Sequence, residues 1–373
     1  MMPRPEIGKN PTIHLVYPHG KRVSCPDAIG RNVGKRLEQR YDVRYHHWAG
    51  TGKIVPNSGD ILIGHACPIP FTLFRRSCRD RRWGRVLLLS PHCHGDKHQP
   101  AFNEHVMYDC DLYLAITGNY WFRDVPNSSF SHWYPKMIHL DLAVDRHDFP
   151  LIKQTFNPPE KRRFLYIGTS AWYKNVGYLS DIAQRLPDVE FAWAGVDKGL
   201  PSIRPLGWQD FGTEESRSVI SNYDFMITVG NADGNPTTIL EAMAWGLIPV
   251  CSPQSGYVNY PSIPNIPLND ISVAVEMIKN LQNVKEETLR SWQEVNWNLL
   301  DDHFNWDRFS NQILDAITSK DSPPLENISI GRKARLLWAE LTNPLWRENL
   351  RWRKLAKLFK LMNNSHNSTP CVN

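Results

Sequence analysis

The chain has 373 residues, of which 41% are hydrophobic and 22% are charged, and its formal net charge is +5. This length and composition suit two globular domains, each with a core of its own. No apolar run approaches the roughly 20 residues that a membrane-spanning helix requires, and the amino end lacks the apolar region of a secretory signal peptide. We therefore expect a cytoplasmic protein.

Cysteine content and charge distribution further limit the class of protein that the sequence can encode. The seven cysteines are an odd number without a Cys-x-x-Cys pair, so neither a disulfide framework nor a zinc ribbon is indicated. Residues 320–373 contain ten Lys or Arg against four Asp or Glu, whereas the rest of the chain is close to neutral. The basic character therefore belongs to the carboxyl-terminal segment.

Apolar strands alternate with amphipathic helices through most of the sequence, which is typical of parallel sheets covered on both faces. The first half has predicted strands at 12–17, 42–48, 60–64, 85–90, 111–116 and 136–140 and a predicted helix at 27–40. The second half has predicted strands at 163–168, 189–195, 224–230 and 247–252. The sequence predicts an α/β protein.

A segment rich in proline and charge separates the two halves, and it predicts a linker with a domain boundary near Pro150. We expect domains at residues 1–150 and 151–318, followed by a tail at 319–373. Asp141 and Asp145 lie just before the linker, where we expect solvent or interdomain contacts.

Two loops of the first half carry residues of interest. The turn after the first strand contains Gly20, which a tight turn would explain. The strand at 85–90 is followed by His92, His94, Asp96 and His98. These residues could ligate a metal, although a zinc site normally draws its ligands from more than one segment. A loop that contacts a ligand and a polar surface loop are the alternatives.

The first strand of the second half ends at Gly168, and the turn continues through Thr169 to Lys174. A lysine at this distance from a strand end favours a phosphate contact. A solvated loop lysine is the alternative.

The segment Asn231–Gly256 places two acids eight residues apart, with Asp233 before a predicted helix and Glu241 inside it. A start signal lies between the two acids. It consists of Asn235 as a cap, Pro236 at the first helical position, then Thr237 and Thr238. Free amides and the positive end of the helix dipole favour phosphate, and a carboxylate two turns into the helix could accept hydrogen bonds from sugar hydroxyls. The segment predicts a site for a phosphorylated sugar or a nucleotide, with an ordinary buried helix as the alternative.

The basic tail reads as an amphipathic helix over 332–362. After Pro344, Trp352 and Phe359 fall on one side, and Arg353 and Lys357 on the other. Such a helix could lie on an anionic membrane surface, or it could pack its apolar side on the body of the protein. Nucleic-acid binding is not expected, because the body is not basic.

The Asn231–Gly256 segment resembles the E-x(7)-E signature of the retaining glycosyltransferases of family four, and LEAMAWGLIPV is similar to that family's LEAMA-G-PVV run. The resemblance covers about residues 10–318. It implies the GT-B fold, in which two Rossmann-like domains face a cleft, with the acceptor bound by the first domain and the nucleotide sugar by the second.

The resemblance also implies roles on the donor side of the cleft. Glu241 would hold the nucleotide ribose, and Asp233, which stands where the family has Glu, would hold hydroxyls of the donor sugar. Lys174 and the amides of residues 235–238 would hold the diphosphate. Thr169 occupies the place of the family's second diphosphate-binding cation, an arginine.

Three more residues take their roles from the same resemblance. Gly168 begins the turn that carries the diphosphate-binding residues. Gly20 falls in the loop that faces the donor phosphates and the acceptor in GT-B enzymes. His92 is the best match for a histidine that lies near the reacting sugar, and His94 is the next.

The implied activity is transfer of a sugar from a nucleotide diphosphate sugar to a hydroxyl of a glycan or lipid-linked acceptor, with retention. Such enzymes serve polysaccharide, lipopolysaccharide or glycolipid biosynthesis. The nucleotide sugar is a co-substrate, and no cofactor or bound metal is expected. The alternatives are a catalytically degenerate GT-B protein that binds a nucleotide sugar, which Thr169 and Asp233 raise, and a GT-B epimerase or phosphorylase.

Overall fold

Two parallel β-sheets, each with helices between its strands, follow one another along the chain. The structure is a computed structural model, and it describes residues 4–18, 25–50, 52–66, 72–95, 101–195, 199–325, 330, 331 and 334. Every strand pair in both sheets is parallel within these residues. The predicted α/β class is confirmed.

The first sheet has six strands in the order β2-β1-β3-β4-β5-β6. Its strands are β1 (Thr12–Tyr17), β2 (Asp42–His47), β3 (Ile61–Gly64), β4 (Arg85–Pro91), β5 (Leu112–Ile116) and β6 (Met137–Leu140). The connecting helices are α1 (Cys25–Leu37), α2 (Leu73–Ser77), α3 (Ala101–Met107) and α4 (Asn119–Asp124). Strands β1, β3 and β5 are buried along their whole length because both faces of the sheet are covered.

The second sheet has five strands in the order β11-β10-β7-β8-β9. Its strands are β7 (Phe164–Ile167), β8 (Phe191–Ala194), β9 (Arg204–Gly207), β10 (Phe225–Thr228) and β11 (Ile248–Cys251). Its helices are α5 (Val176–Gln184), α6 (Glu214–Ser221) and α7 (Thr237–Trp245), and α8 (Ile271–Gln282), α9 (Glu286–Asp302) and α10 (Trp306–Thr318) follow the last strand.

Each of the ten predicted strands is present, with ends that agree within two residues. The predicted helix at 27–40 instead runs from Cys25 to Leu37. It ends early because the amides of Arg40 and Tyr41 both donate to the Leu37 carbonyl and form a turn. Strand β9 was not predicted, since it is a short, largely exposed edge strand that contains a proline.

Sheet topology places a binding crevice at two points. In each sheet the first strand lies between two neighbours, β1 between β2 and β3 and β7 between β8 and β10. Ligands of open α/β sheets bind outside the carboxyl ends of the strands where the strand order reverses in this way. The turn that begins at Gly168 follows β7, and the turn that contains Asp233 follows β10. The two segments singled out in the second half are therefore neighbours.

Helix α10 belongs in sequence to the second half but packs on α1 and β4 of the first sheet. Arg36 Nε lies 2.6 Å from Asp307 Oδ1, and Arg85 Nε donates to the Ala316 carbonyl over 3.1 Å. Leu325, beyond the helix, packs on the core of the first domain. The predicted amphipathic helix at 332–362 lies outside the described residues, except for residue 334.

Candidate functional site

The turn between β10 and α7 is the centre of the candidate site. Helix α7 begins at Thr237, and Pro236 is its N-cap residue, one position later than the sequence predicted. Asn235 does not cap the helix, because its Oδ1 accepts from the backbone N–H of Leu142 in the first domain at 2.6 Å. No side chain caps this helix end within the described residues. The amides of Thr237 and Thr238 therefore keep free hydrogen atoms that point out of the helix.

An ion pair joins this turn to the neighbouring loop. Lys174 Nζ lies 2.5 Å from Asp233 Oδ2, and the two side chains are 16% and 12% exposed, so the pair is reachable from solvent. The amide of Asn231 also donates to the Tyr173 carbonyl, over 2.9 Å, and holds the two loops together. The sequence predicted that Lys174 and Asp233 serve one ligand, and the structure brings them into direct contact.

The loop after β7 has a backbone that only certain residues allow. Gly168 has a φ of +152°, and its carbonyl accepts from Trp193 Nε1 at 2.8 Å. The Thr169 carbonyl accepts from the Tyr166 hydroxyl at 2.7 Å, while the side chain of Thr169 is exposed. Both carbonyls are therefore engaged within the second domain. Position 169 has no cationic side chain, whereas the family that the sequence resembles has arginine at this place.

Glu241 lies one turn into α7, the helix whose first residues are Thr237 and Thr238. Burial raises the pKa of its carboxyl to about 7. Within the part of the chain that the structure describes, no hydrogen bond or ion pair to its carboxylate is found. A carboxylate that is withdrawn from water and has no protein partner is a ready acceptor for ligand hydroxyls.

Cys25 also belongs to the site, which the sequence analysis did not foresee. It is the first residue of α1, in the first domain, and its thiol lies beside the hydroxyl of Thr237, which lowers the pKa of the thiol. The thiol is accessible to solvent but surrounded by protein groups, as expected on the wall of a cleft. Burial, with the negative charges of Glu241 and Asp233, raises its pKa to about 12, and Lys174 acts in the opposite sense.

Cys25 and Thr237, whose side chains lie next to each other, are the first residues of two helices. Both α1 and α7 therefore direct their amino-terminal ends, with their partial positive charge, to one place in the cleft. The sequence feature that could have indicated the role of α1 is its start, which directly follows the turn after the first strand. The turn itself, with Gly20, lies outside the described residues.

His92 lies close to the site, but its ring does not open onto the cleft. The ring is 0% exposed and is surrounded by Tyr113, Phe130 and Trp133. Burial, followed by the neighbouring His94, lowers its pKa to about 3, so the ring is neutral at ordinary pH. Its backbone carbonyl, in contrast, lies directly against Gly234.

His94 has partners on both sides of its ring. Its Nε2 lies 3.0 Å from Asp124 Oδ2, and its Nδ1 lies 3.4 Å from His92 Nε2. No group of three potential metal ligands is found in the described ranges, and Asp96 and His98 of the predicted histidine-rich loop fall outside them.

Asp141 connects the two domains beside the cleft. It is buried, with His139 Nε2 3.4 Å from one oxygen and His303 Nε2 2.8 Å from the other. Burial opposes ionisation of the carboxyl, but the two histidine hydrogen bonds outweigh it and lower the pKa to about 2. The acid is thus an interdomain contact, one of the two environments expected for it.

No protein-family model matches the chain, and no curated protein matches it by sequence. Solved structures do match. An alpha-glucosyltransferase in complex with UDP and a 13-mer DNA containing a HMU base shares 14% identity over 83% of this chain and 100% of its own, with a TM-score of 0.55. WaaG, a glycosyltransferase involved in lipopolysaccharide biosynthesis, shares 13% identity with the same coverage and a TM-score of 0.55.

TarM, known from S. aureus, shares 12% identity over 70% of this chain, with a TM-score of 0.53. The match spans only 55% of TarM's own length. These neighbours have the GT-B fold of two facing α/β domains, and this chain has the same fold. Among the described residues, no helix is both long and apolar enough to cross a bilayer.

Proposed function

We propose that the protein is a glycosyltransferase that moves a sugar from a nucleotide diphosphate sugar to a hydroxyl of an acceptor, with retention at the anomeric carbon. The ion pair between Lys174 and Asp233 at the start of α7 carries this proposal. It puts a cation for phosphate and a carboxylate for sugar hydroxyls at one helix amino terminus, with the unpaired carboxylate of Glu241 nearby. The altered acid motif, Asp233 with Glu241, is the basis for assigning family four.

The diphosphate is held by Lys174 and by the free amides of Asn235, Thr237 and Thr238. Phosphate binds well where amides and a helix dipole converge. We assign the backbone of Gly168 and Thr169 to the same diphosphate site. The start of α1, after the turn that contains Gly20, supplies a second positive helix end and offsets the missing cation at 169.

The two carboxylates bind the remaining parts of the donor. Asp233 accepts hydrogen bonds from hydroxyls of the transferred sugar, and Glu241 accepts them from the ribose. Asp233 is already oriented by Lys174, so one side chain positions both the phosphate and the acid that holds the sugar. This coupling supports the catalytic role given to both residues.

The transfer breaks the bond between the anomeric carbon and the diphosphate and forms one to the acceptor oxygen on the same face. The acceptor proton passes to the departing phosphate oxygen. Lys174 and the helix ends stabilise the charge that develops on the leaving group. His92 helps to position the reacting sugar through its backbone and through His94, because its own ring is buried.

The first domain binds the acceptor, for which we propose a glycan or a lipid-linked glycan of polysaccharide, lipopolysaccharide or glycolipid biosynthesis. Nucleic acid is not proposed as an acceptor, although one structural neighbour was solved with DNA. Any acceptor screen should therefore include a duplex DNA with hydroxymethylated bases, to which we expect no sugar transfer.

Donor turnover tests the proposal. Release of UDP, GDP or ADP from a set of their sugars is measured with wild type and Glu241→Ala, and the anomeric configuration of the product is read by NMR. We expect one donor to be consumed, the α-anomer to be retained, and the variant to lose most activity. Binding without turnover would favour the degenerate alternative, and conversion of the free nucleotide sugar would favour an epimerase.

The tail at 319–373 is proposed to bring the enzyme to the inner, anionic face of a membrane, on the sequence pattern of 332–362 alone. Residues up to Leu325 pack on the first domain, so the matched variant ends after Leu325 rather than earlier. We expect the full chain to co-sediment with anionic liposomes and the truncated chain to remain in solution. Equal partitioning would contradict membrane contact.

A further inference from the structure

Three glycines from distant parts of the chain meet where the domains touch. The N–H of Gly118 donates to the Gly234 carbonyl over 2.8 Å, and that of Tyr120 donates to the Gly256 carbonyl over 3.4 Å. We call Gly118, Gly234 and Gly256 the glycine contact. Gly118 belongs to the first domain and the other two to the second, so backbone lies directly on backbone across the cleft.

There is no room for a side chain in the glycine contact. A methyl group on Gly118 would overlap the Gly256 backbone, and one on Gly234 would lie 3.0 Å from the His92 carbonyl oxygen. Gly118 has φ of −83° and ψ of 166°, which any residue can adopt. The requirement for glycine at 118 therefore comes from the approach of the two domains and not from the local backbone.

The glycine contact also completes a helix end. Gly118 is the N-cap residue of α4, and no side chain within the described residues caps that end. The carbonyls of Gly234 and Gly256 accept from its first amides in place of a cap. Trp121, in the same helix, donates through Nε1 to the Gln254 carbonyl over 2.8 Å. These hydrogen bonds exist only while the domains are together.

The position of the glycine contact gives it a functional meaning. Gly234 is the residue between Asp233, which is paired with Lys174, and Asn235, which holds the Leu142 amide. The first domain therefore touches the donor turn at its centre. A displacement there would alter the distance between an acceptor on the first domain and a sugar on the second.

We propose that Gly118 is a positioning residue for sugar transfer, because the glycine contact sets how closely the acceptor domain approaches the donor turn. The proposal rests on the proposed function. A methyl group at 118 would hold the domains apart while leaving Lys174, Asp233 and Glu241 of the second domain in place. A misplacement of about 1 Å can cost roughly 100-fold in rate.

The test compares Gly118→Ala with Gly177→Ala, a matched control in α5 whose added methyl meets nothing within 4 Å. Nucleotide affinity is measured by calorimetry and transfer by steady-state kinetics. For Gly118→Ala we expect a nucleotide Kd raised by at most about tenfold, since only the start of α1 moves away from the diphosphate, and a kcat for transfer lowered roughly 100-fold. The control should match wild type in both. An unchanged kcat, or a loss of nucleotide affinity equal to the loss of kcat, would overturn the positioning role.

Hydrogen exchange gives a readout that does not depend on turnover. The backbone amides of residues 118 and 120 should exchange faster in Gly118→Ala than in wild type. Equal protection of these amides in the two proteins would overturn the glycine contact. If wild type transferred no sugar from any donor, the proposed function would fail, while exchange would still decide the contact. Should Gly118→Ala not fold, Trp121→Phe removes one interdomain hydrogen bond without added bulk. We then expect a smaller decrease in kcat and a smaller increase in amide exchange than for Gly118→Ala.

Discussion

Lys174 and Asp233, 59 positions apart in the sequence, form an ion pair of 2.5 Å between Nζ and Oδ2. They come from the loops that follow two adjacent parallel strands, β7 and β10. Each charge is partly neutralised by the other before any ligand binds. A diphosphate that approaches Lys174 therefore meets a cation whose orientation is already fixed by the acid.

Replacing Lys174 with methionine should lower kcat/KM for the donor by roughly 100- to 1,000-fold, since a preorganised charge at the leaving group is lost. Lys174→Arg should retain much more activity because the charge remains. Lys279→Met is the control, as that lysine is an exposed residue of α8 that pairs with Glu276. Initial rates with varied donor give the comparison. A methionine variant within threefold of wild type would remove Lys174 from the mechanism.

Glu241 should make nucleotide affinity depend on pH. Its carboxyl has a pKa of about 7 because of burial, and ribose hydroxyls donate more strongly to a carboxylate than to a neutral acid. Nucleotide affinity of wild type should therefore rise between pH 6 and pH 8, with proton release on binding. Glu241→Gln should show a flat profile. Calorimetry in two buffers of different ionisation enthalpy measures both effects.

The same acid should destabilise the unliganded protein at high pH. A carboxyl whose pKa is raised on folding costs stability once pH exceeds the value in the unfolded chain, near 4.5, and the full cost is reached above 7. The rise of the pKa from 4.5 to about 7 corresponds to roughly 3 kcal/mol. Glu241→Gln should thus unfold at a higher temperature than wild type at pH 8 and at about the same temperature at pH 4. A lower Tm for the variant at pH 8 would contradict this account.

Much of the fold followed from the sequence because strands buried on both faces are continuous apolar runs. The meeting of Lys174 and Asp233 could also be expected, since the carboxyl ends of parallel strands share one edge. The partners in contacts between the domains could not be predicted, although an interdomain contact was one of the two environments expected for Asp141. Cys25 and Thr237 are over two hundred residues apart, and nothing local marks either as a partner of the other. The buried ring of His92 likewise depends on Tyr113 and Trp133, which other segments supply.

The thiol of Cys25 should react slowly despite its accessibility. A pKa of about 12 leaves about a thousandfold less thiolate at pH 8 than the ordinary value of 9 would give. Alkylation by iodoacetamide, followed residue by residue by mass spectrometry, should therefore be far slower at Cys25 than in a short peptide. Bound UDP or GDP should slow it further. Peptide-like reactivity would contradict the site geometry.

Substitution separates the roles of that side chain. Cys25→Ser keeps a polar group beside the Thr237 hydroxyl and should retain donor affinity within a few-fold. Cys25→Val has a similar volume but no polar group, and it should weaken nucleotide binding about tenfold, because a hydroxyl left without a polar neighbour costs roughly 1 kcal/mol. Equal affinity of the two variants would show that the polar contact between α1 and α7 is unimportant.

Asp141 should stabilise the protein in a defined range of pH. Since hydrogen bonds from His139 and His303 hold its pKa at about 2 in spite of burial, its contribution is present above the ordinary pKa of aspartate and is lost as pH falls from about 4 to 2. Asp141→Asn should lower stability by about 2 kcal/mol at pH 7.

Calorimetric Tm values from pH 7 to pH 3 test this, with Asp302→Asn at an exposed position of α9 as the control. The gap between wild type and Asp141→Asn should narrow towards pH 3, whereas the control should follow wild type throughout. A gap that stays constant with pH would mean that packing, and not ionisation, is responsible.

Because α10 returns to the first sheet, the first domain is built from two separate segments of the sequence. The chain leaves this domain after β6 and returns to it after α9. The two crossings lie side by side, since the Val144 amide donates to the Phe304 carbonyl over 3.0 Å. Because the two crossings are adjacent, we expect any opening of the cleft to be a rotation about this line that carries α10 with the first domain. A fragment that ends at residue 150 would lack the helix that covers α1 and β4 and would expose apolar surface.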